Sequence, residues 1–152
     1  MVRLNLIPRR PTGRVVVRGG LITSTLLKLG PELNPDPFFD DPGLWALGEG
    51  WSIDQNTAKV SGIQTGNVHC QLQNILEPQT LYQVECTLPV ITAGRMRQGA
   101  GSGEFGAWQT EPVFNLIEVM NTLDGVLHLR VTGDTDAIGD CTFLSVREVL
   151  VR

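Results

Sequence analysis

The chain has 152 residues and no apolar run close to the ~20 residues of a membrane-spanning helix, and its first residues lack the apolar core of a signal peptide. We therefore expect one domain with an extension and no membrane partner. Its 17 glycines and nine prolines favour short strands joined by turns over long helices. The sequence pI near 5.1 argues against nucleic acid as a partner of the main body.

The basic residues are concentrated at the start of the chain. Residues 1–30 hold six basic residues and no acidic residue, whereas residues 31–152 hold six basic and 16 acidic residues, a net charge of −10. An extension with this charge usually has an acidic surface to bind. We therefore predict a basic N-terminal attachment arm over residues 1–30 and a separate domain over residues 31–152.

The arm also contains apolar side chains, which a loose phosphate-binding tail does not require. Pro8 and Pro11 favour an extended path, and the β-branched run Val15–Val17 predicts a short strand. Arginine mixed with apolar residues is typical of protein interfaces, where a strand can add to the edge of a partner's sheet. The predicted partner-binding residues of the arm are Arg9, Arg10, Arg14, Val15, Val17 and Arg18.

After a proline-rich boundary, apolar and polar residues alternate with a period of two, and turn residues recur about every ten positions. This pattern is typical of an antiparallel β-sandwich or barrel. The predicted strands are 51–53, 58–60, 68–72, 82–88, 113–119, 127–131 and 144–148, with a turn at 54–56. Cys70, Cys86 and Cys141 lie in apolar strand contexts, so we expect buried, reduced thiols.

Several segments occur in the order found in one family of domains. They are residues 30–34, Trp45, residues 47–53, the Tyr82-x-Val84 strand, and residues 92–94 and 145–148. Over residues 30–150 the chain resembles the carbohydrate-binding-module-like jelly-roll domains of phage virion proteins, which include capsid decoration proteins, head spikes and tail proteins. The resemblance implies an antiparallel jelly roll. It implies no structural calcium, because Thr142 stands where sugar-binding relatives have an Asp.

Tryptophan side chains are candidate sugar contacts, since a flat ring suits the apolar face of a pyranose. The resemblance places Trp51 at the start of a core strand, where we expect it to pack. Trp45 and Trp108 lie in loop contexts, and we predict that these two residues contact a glycan or a protein partner.

Two other motifs have simple structural explanations. Asp134, Asp136 and Asp140 fit a solvated hairpin turn better than a calcium loop, because the later ligands of an EF-hand are missing. The glycine-rich stretch 99–106 is not followed by the helix of a phosphate-binding loop. We expect a mobile or partner-contacting loop there instead.

Catalytic residues are not evident from the sequence. Asp36, Asp40 and Asp41 lie in the proline-rich boundary, which we expect to be exposed and therefore unable to raise a carboxyl pKa. His69 and His128 lie on separate strands with no convergent nucleophile. We expect no catalytic residue, no cofactor and no metal.

These observations favour a non-catalytic structural protein of a phage virion, assembled in the host cytoplasm. The interpretation we favour is a capsid decoration or cement protein. Its arm binds the major capsid protein or another virion protein, and it forms a homo-oligomer such as a trimer. The alternative is a carbohydrate-binding host-recognition module of a tail appendage or capsid spike, with a surface glycan as ligand. A glycan array should be silent under the first hypothesis and positive under the second.

Overall fold

The computed structural model describes residues 28–101, 104–123, 125 and 127–150, together with the backbone of residues 15–17. These residues form an almost entirely β structure with a single 3-10 turn at Pro42–Leu44. The predicted antiparallel β-sandwich is confirmed. The strands are β1 (Val15–Val17), β2 (Lys28–Glu32), β3 (Ala46–Leu47), β4 (Trp51–Asp54), β5 (Thr57–Ser61), β6 (Val68–Leu72), β7 (Leu81–Leu88), β8 (Val90–Ala93), β9 (Met96–Ala100), β10 (Glu104–Phe105), β11 (Val113–Asn121), β12 (Leu129–Gly133), β13 (Ile138–Cys141) and β14 (Phe143–Leu150).

The strands are arranged in three sheets. The first sheet has the order β1-β11-β7-β14-β2, the second β10-β9-β12-β6-β3, and the third β4-β5-β13-β8. The strand pairs are antiparallel except that β1 runs parallel to β11. No helix in the described residues is long and apolar enough to cross a membrane.

One hydrophobic core lies between the sheets. Alternate residues of β7, Tyr82, Val84, Cys86 and Leu88, are at most 1% exposed, and they pack with inward residues of the second and third sheets in a single cluster. This alternation follows from the pleat, which sends successive side chains to opposite faces. It is the pattern that predicted these strands from sequence.

The predicted hairpin at residues 51–60 is confirmed, and its turn has the expected chemistry. Gln55 and Asn56 both have positive φ, at 47° and 58°. Two consecutive left-handed residues match the twist of the flanking strands β4 and β5, and Asn tolerates that conformation well. Trp51 is 7% exposed and its indole Nε1 donates to the carbonyl oxygen of Val68 at 3.0 Å, so its predicted packing role is confirmed.

The three cysteines are free and buried, as predicted. Burial raises the pKa of the Cys141 thiol to about 12, and it also raises the pKa values of Cys70 and Cys86. A thiol with such a pKa remains protonated at neutral pH and behaves as a small hydrophobic group.

The glycine-rich stretch 99–106 differs from the expected loop. Its ends form a hairpin in which Glu104 pairs with Ala100 and Phe105 pairs with Gly99. Gly99 permits this packing, because a Cβ there would lie 2.7 Å from Cδ1 of Phe105. The glycine therefore allows an aromatic ring to lie directly on the strand.

Candidate functional site

The most distinctive chemical surface is the outer face of the second sheet. Met96 and Gln98 on β9 point into the core and are 0% exposed, so Arg97 between them lies on the opposite face. By the same alternation, Arg130 lies between the core residues Leu129 and Val131 of β12. We call the surface formed by Arg95, Arg97, Arg130, Phe105, Trp108 and His69 the arginine–aromatic face.

Guanidinium groups and aromatic rings alternate across this face. The Cζ atom of Arg97 lies 4.0 Å from the ring centroid of Phe105 and 4.1 Å from that of Trp108. Arg130 Cζ lies 5.0 Å from the Phe105 centroid, and Arg95 Cζ lies 4.7 Å from the Trp108 centroid. Each such contact contributes about 0.5–2 kcal/mol, depending on solvent exposure. The rings therefore hold the arginine side chains in fixed positions.

Trp108 is half-buried and lies in this surface. The prediction that it contacts a glycan or partner is not tested by the structure, but its position beside two guanidinium groups changes the chemistry of the contact. A ring that already stacks against arginine offers less free face to a sugar. The Trp108 ring instead forms part of a cationic surface.

A buried carboxylate in the core positions the segment that carries both rings. Glu118 on β11 is 0% exposed, and its Oε2 accepts a hydrogen bond from the backbone N–H of Ala107 at 3.0 Å. Its Oε1 accepts from Nε2 of Gln98 at 3.1 Å. Gly106 lies so close that a Cβ there would be 1.9 Å from Oε1 of Glu118. These contacts with the buried Glu118 side chain therefore fix the position of residues 105–108.

The electrostatic environment of this face is positive. Burial, followed by the charges of Arg130 and Arg97, lowers the pKa of His69 to about 4. His69 is therefore neutral at physiological pH, and its Nδ1 shares a hydrogen bond with Oγ1 of Thr132 at 2.7 Å. Burial and the charge of Arg130 also lower the pKa of His128.

The arginines of this face differ in how their charge is balanced. Arg95 forms an ion pair with Asp134, with Nε and Oδ2 2.9 Å apart. Arg130 is only 7% exposed, its Nη2 donates to the carbonyl oxygen of Gly101, and its Nε has no hydrogen-bond partner. In the part of the chain that the structure describes, no carboxylate oxygen lies within 4 Å of Arg130. A buried guanidinium without a counter-charge is costly.

Trp45, the other predicted contact residue, is not an exposed loop residue. It is 6% exposed, its ring centroid lies 4.6 Å from that of Phe39, and its Nε1 donates to Oδ2 of Asp36 at 2.8 Å. The expectation that Asp36 is exposed is wrong for the same reason. Asp36 is 5% exposed, and its carboxylate also accepts hydrogen bonds from the backbone N–H groups of Asp40 and Asp41.

Trp45 nevertheless borders a concavity of about 410 Å³ on the surface. Leu44, which is 46% exposed, and Ile75 also line it. A concavity that combines polar surface with the apolar side chains of Leu44, Trp45 and Ile75 is one type of sugar site.

The predicted turn is present, with Asp134 at its start and Asp136 within it, but Asp134 is buried rather than solvated and Asp140 lies in strand β13. Asp134 Oδ1 accepts hydrogen bonds from the backbone N–H groups of Arg95 and Asp136 in a tight turn. Burial acts to raise the pKa of Asp134, but the hydrogen bonds from Arg95 and Asp136 outweigh it and the pKa is lowered. Among the described residues, no three His, Cys, Asp or Glu side chains are placed to hold a metal ion.

The predicted attachment residues of the arm lie mostly outside the described residues. Arg9, Arg10, Arg14 and Arg18 all lie outside the residues that the structure describes. The predicted strand is confirmed: Val15 takes the register position opposite Ile117, and Val17 that opposite Val119. The following strand β2 begins at Lys28, within the predicted arm. The division of the chain at residue 30 stays a prediction.

Comparison with known proteins gives no match, since no family model, no curated protein and no solved structure matches this chain. Arg95, Arg97, Arg130 and Phe105 were not predicted from the sequence as functional residues. Their only signal in the sequence is that three of the six basic residues of the body lie at positions 95, 97 and 130.

Proposed function

We propose that this chain is a non-catalytic structural protein of a phage virion, a decoration or cement protein that binds the capsid through its N-terminal arm. The observation that carries the proposal is the position of β1. This strand comes from the basic arm, pairs in parallel with β11, and forms the outermost strand of the first sheet.

An outermost strand has a second edge at which backbone N–H and C=O groups can pair with another chain. In the described residues no further strand follows β1 in the first sheet. A virion protein beside this edge can therefore extend the sheet. Arg14 and Arg18 flank the strand in sequence, which adds two positive charges to this segment of the arm.

The charge distribution supports the same attachment. An arm with six basic residues and no acidic residue is attracted to an acidic surface, while a body of net charge −10 is repelled by it. The molecule therefore binds in one orientation, with the arm towards the shell and the sandwich outwards. Many copies on a symmetric lattice convert a modest contact into stable attachment.

The test is co-sedimentation of the full-length chain with undecorated capsids over a series of salt concentrations. The double variant Arg9→Glu/Arg10→Glu should lose binding, since the reversed charges repel an acidic shell. The control Lys59→Glu/Arg152→Glu changes the net charge by the same amount outside the arm and should bind like the wild type. Equal binding by all three chains, or binding by none, would reject the proposal.

A second candidate function is sugar binding at the concavity beside Trp45, where Leu44 and Ile75 supply apolar surface. A glycan array tests it directly. Binding that Leu44→Arg abolishes, by filling the concavity with a charged side chain, would support a host-recognition module. A silent array would remove this candidate and leave the capsid proposal unaffected.

A further inference from the structure

We propose that the outer face of the first sheet is a docking surface for residues 18–27 of the same chain, which we call the crossing segment. The surface that receives it includes Val119, Gln83 and Val149. This inference does not rest on capsid binding. It divides the basic arm into a part that binds the body of its own chain and a part, residues 1–14, that is left to meet a partner.

Two neighbouring side chains are buried although they point away from the core. Val119 follows the inward Glu118 on β11, and Gln83 follows the core residue Tyr82 on β7, so the pleat sends both to the outer face. They are register partners, and they are only 1% and 7% exposed. An antiparallel sheet commonly has one face on the core and the other in solvent. Burial on the outer face therefore requires a cover.

The burial is greatest at one end of this face. Val119 lies two residues before the end of β11, and Gln83, its partner, is the third residue of β7. Val149, one residue before the end of β14, is 4% exposed and lies three positions after the inward Val146, so it too faces outwards. Ile117, the next outward residue of β11 towards the other end, is only half-buried. The cover therefore lies over the end that these three residues share.

Described side chains account for burial elsewhere on the outer face. Ser145 is buried, and its Oγ donates to Oε2 of Glu32 on the adjoining strand β2. The Nε atom of Arg147 lies 3.7 Å from the same carboxylate oxygen. Val119 and Val149, by contrast, lie outside the hydrophobic core formed by residues 28–150 as described. Their cover is expected from the part of the chain that precedes β2.

The topology of the first sheet brings the crossing segment to this end. Strands β1 and β2 form opposite edges of the sheet, and residues 18–27 join them. Because β1 is parallel to β11, with Val17 opposite Val119, the chain leaves β1 at the end where β11 ends. Lys28 pairs with Leu150 at the end of β14, and β11 and β14 are both antiparallel to β7. The chain therefore enters β2 from that same end.

The length of the crossing segment suits a direct path over the face. Four strand spacings of about 4.8 Å separate β1 from β2, which gives ~19 Å. The chain from Val17 to Lys28 can span at most ~36–40 Å when fully extended. The inner face is filled by core side chains such as Tyr82. A path beyond the strand ends would leave Val119 and Gln83 uncovered, so the outer face is the route that explains their burial.

The chemistry of the crossing segment matches the surface. It has no acidic residue and four apolar ones, Leu21, Ile22, Leu26 and Leu27. These can bury the outward side chains of Val119 and Val149, which favours contact. Between them lie three hydroxyl residues, 23–25. The buried Oε1 of Gln83 has no hydrogen-bond partner among the described residues, and a hydroxyl or backbone N–H crossing above it can supply the donor.

Reactivity of an introduced thiol tests the proposal in the full-length chain. The native cysteines are buried, so Val119→Cys reports on its own position, and we expect it to react slowly. Adding Ile22→Asp/Leu26→Asp should speed the reaction roughly tenfold, the effect of losing about 1.4 kcal/mol of local stability. The matched control Leu4→Asp/Ile7→Asp makes the same change before β1 and should alter the rate by less than about twofold.

A crosslink identifies which chain supplies the segment. Arg147 is exposed and is a register partner of Gln83. Arg147→Cys combined with either Ile22→Cys or Leu26→Cys, and treated with a short bismaleimide, should give a crosslink within one monomer. Arg147→Cys with Leu4→Cys should not. Crosslinked dimers would show that the segment comes from a second copy and would overturn the proposal, as would the absence of a crosslink from both pairs.

Circular dichroism of each variant establishes that it is folded. If Ile22→Asp/Leu26→Asp does not fold, Ile22→Ser/Leu26→Ser takes its place, since serine weakens apolar contact without burying a charge. A rate for Val119→Cys that does not change with the crossing segment would contradict the docking surface. An equal acceleration by the control substitutions before β1 would contradict it as well.

Failure of this inference is separable from failure of the capsid proposal. Arg9→Glu/Arg10→Glu should lose capsid binding and leave the slow reaction of Val119→Cys unchanged. If no variant binds capsids but the crossing segment still protects Val119→Cys, the docking surface stands without the capsid. If capsid binding depends on the arm arginines but Val119→Cys reacts fast in the full-length chain, the reverse holds.

Discussion

The carboxylate of Glu118, fully buried between the layers, accepts a hydrogen bond from the backbone N–H of Ala107 at 3.0 Å. Ala107 lies in the chain between Phe105 and Trp108, the two ring-bearing residues of this segment. A core acid on β11 thus fixes the position of surface rings that stack on arginines. The stability of the sandwich and the geometry of its candidate binding face are coupled through this one side chain.

Glu118→Ala should lower the free energy of unfolding by about 2–3 kcal/mol, because it leaves the Ala107 N–H without its acceptor, removes one of the acceptors of Gln98 Nε2 and opens a cavity. Urea unfolding followed by tryptophan fluorescence measures the change. The control Glu111→Ala removes an exposed acid from the neighbouring segment and should change stability by less than about 0.5 kcal/mol. Equal stabilities of the two variants would show that the buried hydrogen bonds are not important.

Gly99→Ala should displace the Phe105 ring, since its Cβ would lie 2.7 Å from Cδ1. Overpacking of this kind costs about 1–3 kcal/mol. Gly66→Ala is a matched control, because nothing lies within 4 Å of a Cβ at that position. Thermal unfolding compares the two, and near-ultraviolet circular dichroism should report a changed aromatic environment in Gly99→Ala alone.

The stability of the protein should fall as the pH decreases from about 6.5 to about 4, in part because of His69. Its pKa in the folded state is about 4, against an ordinary value of 6.5, so the unfolded chain binds the proton more readily over this interval. The contribution is fully present above pH 6.5 and is lost towards pH 4. His69 is only half-buried, so solvent reduces its size.

Melting temperatures measured across this interval for the wild type and for His69→Gln isolate that contribution from the titration of carboxylates. The wild type should lose more stability than His69→Gln between pH 6.5 and pH 4. His128→Gln is a control for the loss of an imidazole at a more exposed position. Parallel pH curves for the wild type and His69→Gln would contradict the proposed environment of His69.

The three thiols should resist modification while the protein is folded. Cys70, Cys86 and Cys141 are buried, and burial raises the pKa of each, so almost no thiolate is present at neutral pH. A colorimetric thiol reagent should react slowly with the native protein and with three equivalents after unfolding in urea. Rapid reaction of one thiol in the native state would show that its strand opens locally.

Strands with apolar residues on one face were predictable from the sequence. Tyr82, Val84 and Cys86 alternate with polar residues, and a period of two identifies β7 without tertiary information. Strand β9 could not be found in this way. Its inward position at Gln98 is polar and its outward position at Arg97 is charged, so the sequence shows no apolar alternation there.

The candidate face was not predictable for a different reason. Arg97 and Arg130 are 33 positions apart in the chain, and they become neighbours only because β9 pairs with β12 in a particular register. The burial of Trp45 was not predictable either, because its indole N–H is satisfied by Asp36, nine positions earlier. Local composition predicted an exposed loop, whereas the hydrogen bonds of the buried Asp36 carboxylate hold that loop against the core.

The position of β1 also bears on solubility. Strand β11 spans nine residues, many of them apolar, and β1 occupies the edge that it would otherwise expose. Long apolar edges recruit strands from other molecules and promote aggregation, and β1 covers β11 at Ile117, Glu118 and Val119. A chain truncated before β2 would therefore lose a protective edge together with its arginines. Precipitation of such a truncated protein would then reflect an open sheet, and charge substitutions in the full-length chain report attachment without this complication.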